Sequence, residues 1–184
     1  MFDFEIAKAA ANNGAQVIIV HGPTHELVSH NLIKTIPVTS AEEMYIACHE
    51  YFQNMDIAVL SAAVADYAPK NVSKQKIKKS DATLTLELVK TKDILASLGE
   101  IKKNQFLVGF ALESNNELEN AKGKLKNKNL DLIVLNSLQD KGAGFGGSTN
   151  KVSIISKDAS VQEFELKSKT AVASDLMNEI LKLL

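Results

Sequence analysis

The residues best suited to chemistry lie between Ser61 and Lys79. Ser61-Ala-Ala-Val-Ala-Asp-Tyr67 closes an apolar run, Asp56–Ala63, that reads as a buried strand. In open α/β sheets ligands sit outside the carboxyl ends of strands, and the small residues Ser61, Ala62, Ala63 and Ala65 let a ligand approach the backbone. Asp66 has the chemistry to accept hydrogen bonds from a sugar hydroxyl or base amine, or to help hold a metal. Lys70, Lys74, Lys76, Lys78 and Lys79 follow, and ammonium groups on flexible stems suit a polyphosphate. A charge run alone reads as a solvated loop. This one directly follows a ligand-type strand end in a chain whose net charge is −1. If the segment is extended, Lys76 and Lys78 share one face and Ile77 anchors the other. The grouping predicts a nucleoside triphosphate site.

Three further groupings bear on such a site. Lys124 and Lys128, spaced i and i+4, share a helix face, where two like charges are mildly unfavourable without an anion nearby. Val108-Gly-Phe-Ala-Leu-Glu113 ends another apolar run; Gly109 allows close backbone approach, and Phe110 offers either a flat surface for a base or an ordinary core ring. Asp140–Asn150 holds four glycines around Phe145 but fits neither the P-loop nor the dinucleotide fingerprint, because a strand pattern follows it where those need a helix. Residues Lys70–Asp81 and Ser137–Asn150 read as mobile connections. His21, His25, His30 and His49 have no zinc-type spacing with Cys48, and His21 and His25 read as exposed loop residues. Cys48 sits among Met44, Ile46 and Phe52 in a helical pattern, as a buried structural thiol rather than a nucleophile.

The rest of the composition narrows the classes. The chain has 184 residues, 45% hydrophobic and 23% charged, enough for one globular domain with a real core. Near-zero net charge argues against bulk nucleic-acid binding. A single cysteine excludes an intrachain disulfide and suits a reducing compartment. No apolar run reaches the roughly 18 residues of a membrane span, and no secretory signal opens the chain. The cytoplasm is the expected location.

The elements that would position these residues alternate. Helical patterns cover Phe4–Asn12, Ser40–Gln53 behind a Ser40/Glu43 capping box, Thr91–Lys102 with Thr91 or Asp93 at its start, Glu117–Lys128, and Ser168–Leu184 with Val172, Leu176, Ile180 and Leu183 on one side. Strand patterns cover Gln16–Val20, Leu32–Pro37, Asp56–Ala63, Thr83–Leu88, Phe106–Leu112 and Leu130–Leu135, with Val152–Ile155 and Phe164–Leu166 as a closing hairpin. This order predicts a Rossmann-like three-layer α/β fold: a mostly parallel sheet, helices on both faces, antiparallel strands at the edge. A doubly wound fold normally opens with a strand, whereas this chain opens with a helix. Either the fold starts unusually or a first strand and its loop are absent from the chain.

Taken in order, Ser61–Tyr67 with Lys76-Ile-Lys-Lys79, Thr91–Leu95, Val108–Glu113, Lys124–Asn129, and Asp131–Asn136 followed by Gly144-Phe145 and Asn150 resemble phosphopantothenate–cysteine ligase. This is the synthetase domain often fused to phosphopantothenoylcysteine decarboxylase, a flavin-dependent partner. The likeness runs along essentially the whole chain and is most specific at AAVADY…KIKK and KNLDLIVLN.

The resemblance implies a dimeric enzyme of coenzyme A biosynthesis that uses CTP and Mg2+. It activates 4′-phosphopantothenate as an acyl-cytidylate and passes the acyl group to cysteine. Carried over residue by residue, it implies that Leu60, Ser61, Ala62 and Asp66 contact the nucleotide, with Ala63 on the substrate side. Lys76 would meet the triphosphate and support adenylate-type chemistry as the catalytic lysine. Lys92, Asp93, Ile94, Leu95 and Phe110 would line the nucleotide pocket, and Lys124 and Lys128 would bind it from their helix. Lys92 stands where the family usually has proline. The family's opening strand, its GPT-type turn and a Ser/Gly-rich run would fall before Met1, and His21-Gly-Pro-Thr24 matches a later loop. The expectation is therefore an N-terminally truncated single ligase domain over 1–184, with nucleotide binding and incomplete turnover. The alternatives are a non-catalytic regulatory or scaffold module of the same fold and an NAD(P)-dependent oxidoreductase; no G-x-G-x-x-G follows a strand to support the latter.

Overall fold

The computed structural model describes residues 2–73, 75–77, 83–137 and 148–184. Lys74, Lys78, Lys79 and Asp140–Gly147, including Gly144 and Phe145, lie outside the described residues. The elements run α1 (Phe2–Asn12), β1 (Val17–His21), β2 (Ile33–Pro37), α2 (Ala41–Phe52), β3 (Ile57–Leu60), β4 (Tyr67–Pro69), β5 (Leu88–Lys90), α3 (Ile94–Ile101), β6 (Phe106–Glu113), α4 (Glu117–Asn127), β7 (Leu132–Ser137), β8 (Thr149–Asn150), β9 (Val152–Ser156), β10 (Val161–Glu163), β11 (Lys167–Ser168) and α5 (Lys169–Leu183).

Five strands form a mixed sheet in the order β10-β9-β7-β6-β3. The β3–β6 and β6–β7 pairs are parallel, whereas β7–β9 and β9–β10 are antiparallel. β1 and β2 pair in parallel as a separate two-stranded sheet. Two short antiparallel ladders, β4–β5 and β8–β11, complete the pairing among the described residues.

Side-chain alternation along a strand sends neighbours to opposite faces, and the two cores follow that rule. Leu107 and Ala111 of β6 and Ile133 and Leu135 of β7 share a core with Met44 and Phe52 of α2, Leu98 of α3 and Leu125 of α4. Val108, Leu132 and Val134 pack instead with Phe2 and Ile6 of α1 and Val172, Leu176 and Ile180 of α5. Helices therefore cover both faces. α2 also reaches across the two sheets, because its core includes Val20 and Ile36 of the first sheet and Ala58 and Leu60 of the second.

Local chemistry sets the helix starts. Ser40 Oγ accepts the Glu43 N–H at 3.1 Å, and Glu43 Oε2 reaches back to the Thr39 N–H at 2.7 Å. Asp93 caps α3 by accepting the Ala96 N–H at 3.0 Å. Ser168 caps α5 through the Ala171 N–H. Gly99 lets α3 lie against the end of α4: a Cβ there would sit 2.0 Å from the Lys128 carbonyl oxygen. Asn129, at φ 51°, turns the chain out of α4 and donates from Nδ2 to the Gly99 carbonyl at 3.0 Å.

Several boundaries differ from the sequence reading. Thr83–Glu87 is not in a strand; the ladder is formed by Leu88–Lys90 against Tyr67–Pro69. The partner of β9 is Val161–Glu163 rather than Phe164–Leu166. Leu183 is exposed, one turn past the buried Ile180. His21 is the last residue of β1, half-buried, with its ring 5.8 Å from that of Phe4.

Candidate functional site

Parallel strands β3, β6 and β7 all end at one rim of the sheet. Leu60 closes β3 opposite Gly109, half-buried over the core that α2, α3 and α4 share with the sheet. Ser61 follows, and its hydroxyl donates to Asp3 Oδ1 of α1 at 2.6 Å, so the chain leaves β3 pinned to a helix start. Ala62, Ala63, Ala65 and Asp66 are exposed there. The Thr91 N–H donates to the Asp66 carbonyl at 2.9 Å, and its hydroxyl to the Ala65 carbonyl at 2.7 Å. This clasp brings Asp66 beside Lys92 and Asp93, residues 26 and 27 positions away in sequence.

At the same rim, Glu113 ends β6 on the face shared with Leu107, Gly109 and Ala111. Lys124 Nζ donates to Glu113 Oε1 at 2.5 Å, and Asn120 Nδ2 to Glu113 Oε2 at 3.2 Å. Lys128 Nζ lies 2.8 Å from Asp93 Oδ2. Helical side chains lean toward the N-terminus of their helix, so Lys124 points up to the strand ends, whereas Lys128, the residue that closes α4, reaches the rim through Asp93. Each like charge has its own carboxylate, which removes the repulsion expected from their spacing. Burial raises the Asp93 carboxyl, but the Lys128 hydrogen bond and the Ala96 N–H outweigh it and leave it below the usual range. Lys92 Nζ is 2.7 Å from Glu42 and 4.4 Å from the Tyr45 ring centre; the Glu42 hydrogen bond raises its pKa. Ile94 is buried, and Leu95 packs against Gly109, whose missing Cβ would come within 2.7 Å of Leu95 Cδ2.

The structure thus brings together Leu60, Ser61, Ala62, Ala63, Asp66, Lys92, Asp93, Ile94, Leu95, Lys124 and Lys128. Phe110 stands apart. It faces the α1 and α5 side of the sheet, edge-on to Phe2 at 5.7 Å between ring centres, opposite the face of the α4 lysines. Lys76 is exposed, and no described residue forms an ion pair with it. Ile77 is 57% exposed, so it does not anchor the segment as the alternation suggested. Lys70 pairs with Glu87 at 2.6 Å, bracing the β4–β5 arm. Cys48 is half-buried, and burial pushes its thiol up to about 11, which fits a structural role.

Sequence reasoning missed Glu113, Asn120, Glu42 and the Thr91 clasp. The one available signal was the switch from apolar run to carboxylate at Leu112-Glu113. Asp131, inside the KNLDLIVLN segment, proves to sit at the other end of the strands. It accepts from Lys102 Nζ at 2.7 Å and from the Leu107 N–H at 2.8 Å. A cavity of about 460 Å3 lies elsewhere, between β10 and α5. Among the described residues no group of three or more His, Cys, Asp or Glu side chains could hold a metal. No helix in them is long and apolar enough to cross a membrane.

Fold and rim define an α/β domain with a mixed sheet, whose parallel strand ends present small residues and lysine–carboxylate pairs. The chain belongs to the DFP family, the DNA/pantothenate metabolism flavoprotein C-terminal domain, whose model matches residues 2–184. It is 51% identical over 179 residues to a cysteine/cysteine sulfinic acid decarboxylase of an unknown prokaryotic organism, covering 97% of this chain and 50% of that protein. It is 45% identical over 177 residues to the coenzyme A biosynthesis bifunctional protein CoaBC of Bacillus subtilis (strain 168), covering 96% of this chain and 44% of that one. A crystal structure of a CoaBC C-terminal domain matches with a TM-score of 0.82 at 37% identity, over 99% of this chain and 81% of the other. The chain spans about half the length of these two curated relatives.

Proposed function

We propose that this chain is a CTP-dependent phosphopantothenate–cysteine ligase domain of coenzyme A biosynthesis, with a Rossmann-like nucleotide site at the rim of β3, β6 and β7. The observation that carries this reading is the single rim on which Leu60–Ala63, Asp66, Asp93, Lys124 and Lys128 meet. Membership of the family and likeness to a CoaBC protein support the choice of reaction.

In this reading a carboxylate oxygen of 4′-phosphopantothenate attacks the α-phosphorus of CTP, and pyrophosphate leaves. The cysteine amine then attacks the acyl carbon, and CMP leaves with the bond electrons. No protein nucleophile is required; alignment of two bound reactants supplies much of the rate. The exposed alanines give the nucleotide backbone access, and Asp66 receives hydrogen bonds from ribose or base. Lys76 reaches the triphosphate, with Lys124 and Lys128 fixing its other side and Lys92–Leu95 completing the pocket; Phe110, on the α1 and α5 face, takes no part in it. Mg2+ neutralises polyphosphate charge when bound.

The domain acts as a homodimer, fused to or associated with a flavin-dependent decarboxylase domain. Tyr67, Val72, Leu84, Leu86, Leu88 and Val89 are exposed along one arm, which supports pairing there with a second copy. Sedimentation of the wild-type chain and of Leu86→Glu tests this, with the variant expected as monomer.

Titration calorimetry with CTP, ATP and NADPH, each with and without Mg2+, tests the nucleotide reading. Mg2+-dependent binding that favours CTP is the expected result. Binding of NADPH alone would indicate an oxidoreductase, and no binding of any of them a non-catalytic module.

A further inference from the structure

Resting on that reading, we propose that Glu113 is the positioning residue for the nucleotide-facing lysine Lys124. Glu113 is the less exposed partner, its side chain 14% exposed against 43% for Lys124. It is also the more tightly held. Its carboxylate stands at the end of β6, a strand flanked on both sides in the sheet, and accepts from both Asn120 and Lys124. Asn120 is itself fixed by donating to the Asn115 carbonyl at 3.0 Å, in the turn that leads into α4.

The geometry separates anchor from effector. An ammonium has three donors; one is committed to Glu113, and the others remain for an anionic oxygen at the rim. A free surface lysine samples many rotamers, which binding would have to restrict. Lys124 is already drawn to the strand end by a strand-borne carboxylate. Because the pair is neutral overall, its contribution is directional: it fixes where the donors point more than it adds charge. The same logic explains Asn120, which occupies the second carboxylate oxygen and keeps Glu113 from rotating away.

The test is a double-mutant cycle on the full 184-residue chain, read as calorimetric affinity for CTP with Mg2+. Glu113→Ala is expected to weaken binding about tenfold, equivalent to about 1.4 kcal/mol. Glu113→Gln, which keeps an acceptor oxygen, should restore most of that and remain within about threefold of wild type. In a Lys124→Ala background, Glu113→Ala should change affinity less than about twofold, because the residue it acts through is gone. Circular dichroism and thermal unfolding identify any variant that fails to fold; if Glu113→Ala does, Glu113→Asp, which draws the carboxylate back from Lys124 by one methylene, takes its place in the cycle, with a loss of affinity expected that disappears in the Lys124→Ala background. Equal losses in the presence and absence of the Lys124 side chain overturn the inference while leaving CTP binding intact. A wild-type chain that takes up no CTP overturns the nucleotide reading, and this inference with it.

Discussion

The two rims of the central sheet hold the same charged residue types in opposite surroundings. At the rim where β6 and β7 begin, Lys102 and Asp131 pair at 2.7 Å with the lysine side chain only 6% exposed. Asp131 also receives the Leu107 N–H, and Lys157 lies 3.7 Å away. At the rim where those strands end, Lys124–Glu113, Lys128–Asp93 and Lys92–Glu42 all leave their lysines partly open to water. A buried pair must be satisfied from within, because removing one partner strands a charge in low dielectric. An exposed pair holds a charge lightly, so a ligand can compete for it. Burial, rather than residue type, therefore separates the lysines a ligand at the proposed site could engage from those it could not.

The largest effect should come from breaking the first rim. Asp131→Ala leaves Lys102 buried without its carboxylate and the Leu107 N–H without its acceptor, and should cost about 4 kcal/mol. For a chain of this size that lowers Tm by roughly 8–16 °C. CTP affinity of the remaining folded protein should match wild type. A loss below about 1 kcal/mol in denaturant titration would erase the distinction between the rims.

Gly99→Ala joins the two rims, because Gly99 touches the backbone of the residue whose side chain reaches Asp93. The new Cβ would meet the Lys128 carbonyl oxygen at 2.0 Å and its carbon at 2.9 Å, and both of these atoms are backbone, with no flexible side-chain end to yield. Overpacking of this kind should cost about 3 kcal/mol. Displacement of Lys128 should also weaken CTP by several-fold, unlike Asp131→Ala. A variant as stable as wild type would show that α3 and α4 can separate freely.

How much of this was legible in the sequence follows the same division between local and distant causes. Ser40-Ala-Glu-Glu43 announced the start of α2, and the VIIV and LDLIVL runs announced strands, because caps and apolar periods act within a few residues; the second is buried from Leu132 to Leu135, whereas the first is buried only at Ile19 rather than on both faces. The start of α3 was legible only as Thr91 or Asp93, and the folded chain places the cap on Asp93. The β4–β5 arm was not: the alternation in Thr83–Leu88 looked like a strand, but pairing falls on exposed residues where Tyr67–Pro69 lies alongside. β10 was likewise invisible, since Val161–Glu163 is exposed at a sheet edge and carries no apolar pattern; the turn is made by Ala159 at φ 67° and the Asp158 carboxylate on the Ser160 N–H. The site residues that bear on the proposed nucleotide were readable as lysines in the right order. Their counter-ions were not, because Glu113 lies 11 residues from Lys124, and Glu42 lies 50 from Lys92. Only the folded chain sets those distances.

The smallest effect on stability, and the sharpest on the comparison, belongs to Asp93→Asn. Asparagine keeps an oxygen for the Ala96 N–H, so the α3 cap survives while the charge facing Lys128 is lost. The pair is half open to solvent, so the loss should stay at or below about 0.5 kcal/mol near pH 7. Asp93 titrates below the usual carboxylate range in the folded chain. A carboxyl held low contributes stability above its unfolded pKa, and that contribution disappears as pH falls through the folded value. The stability gap between wild type and Asp93→Asn should therefore be present at pH 7 and close on acidification below about 4. CTP affinity should fall about threefold, the equivalent of some 0.7 kcal/mol, more than the fold itself loses. The reverse outcome, a large stability loss with unchanged CTP affinity, would assign Lys128–Asp93 to the same structural class as Lys102–Asp131 and leave the strand-end rim with one ligand-ready lysine fewer.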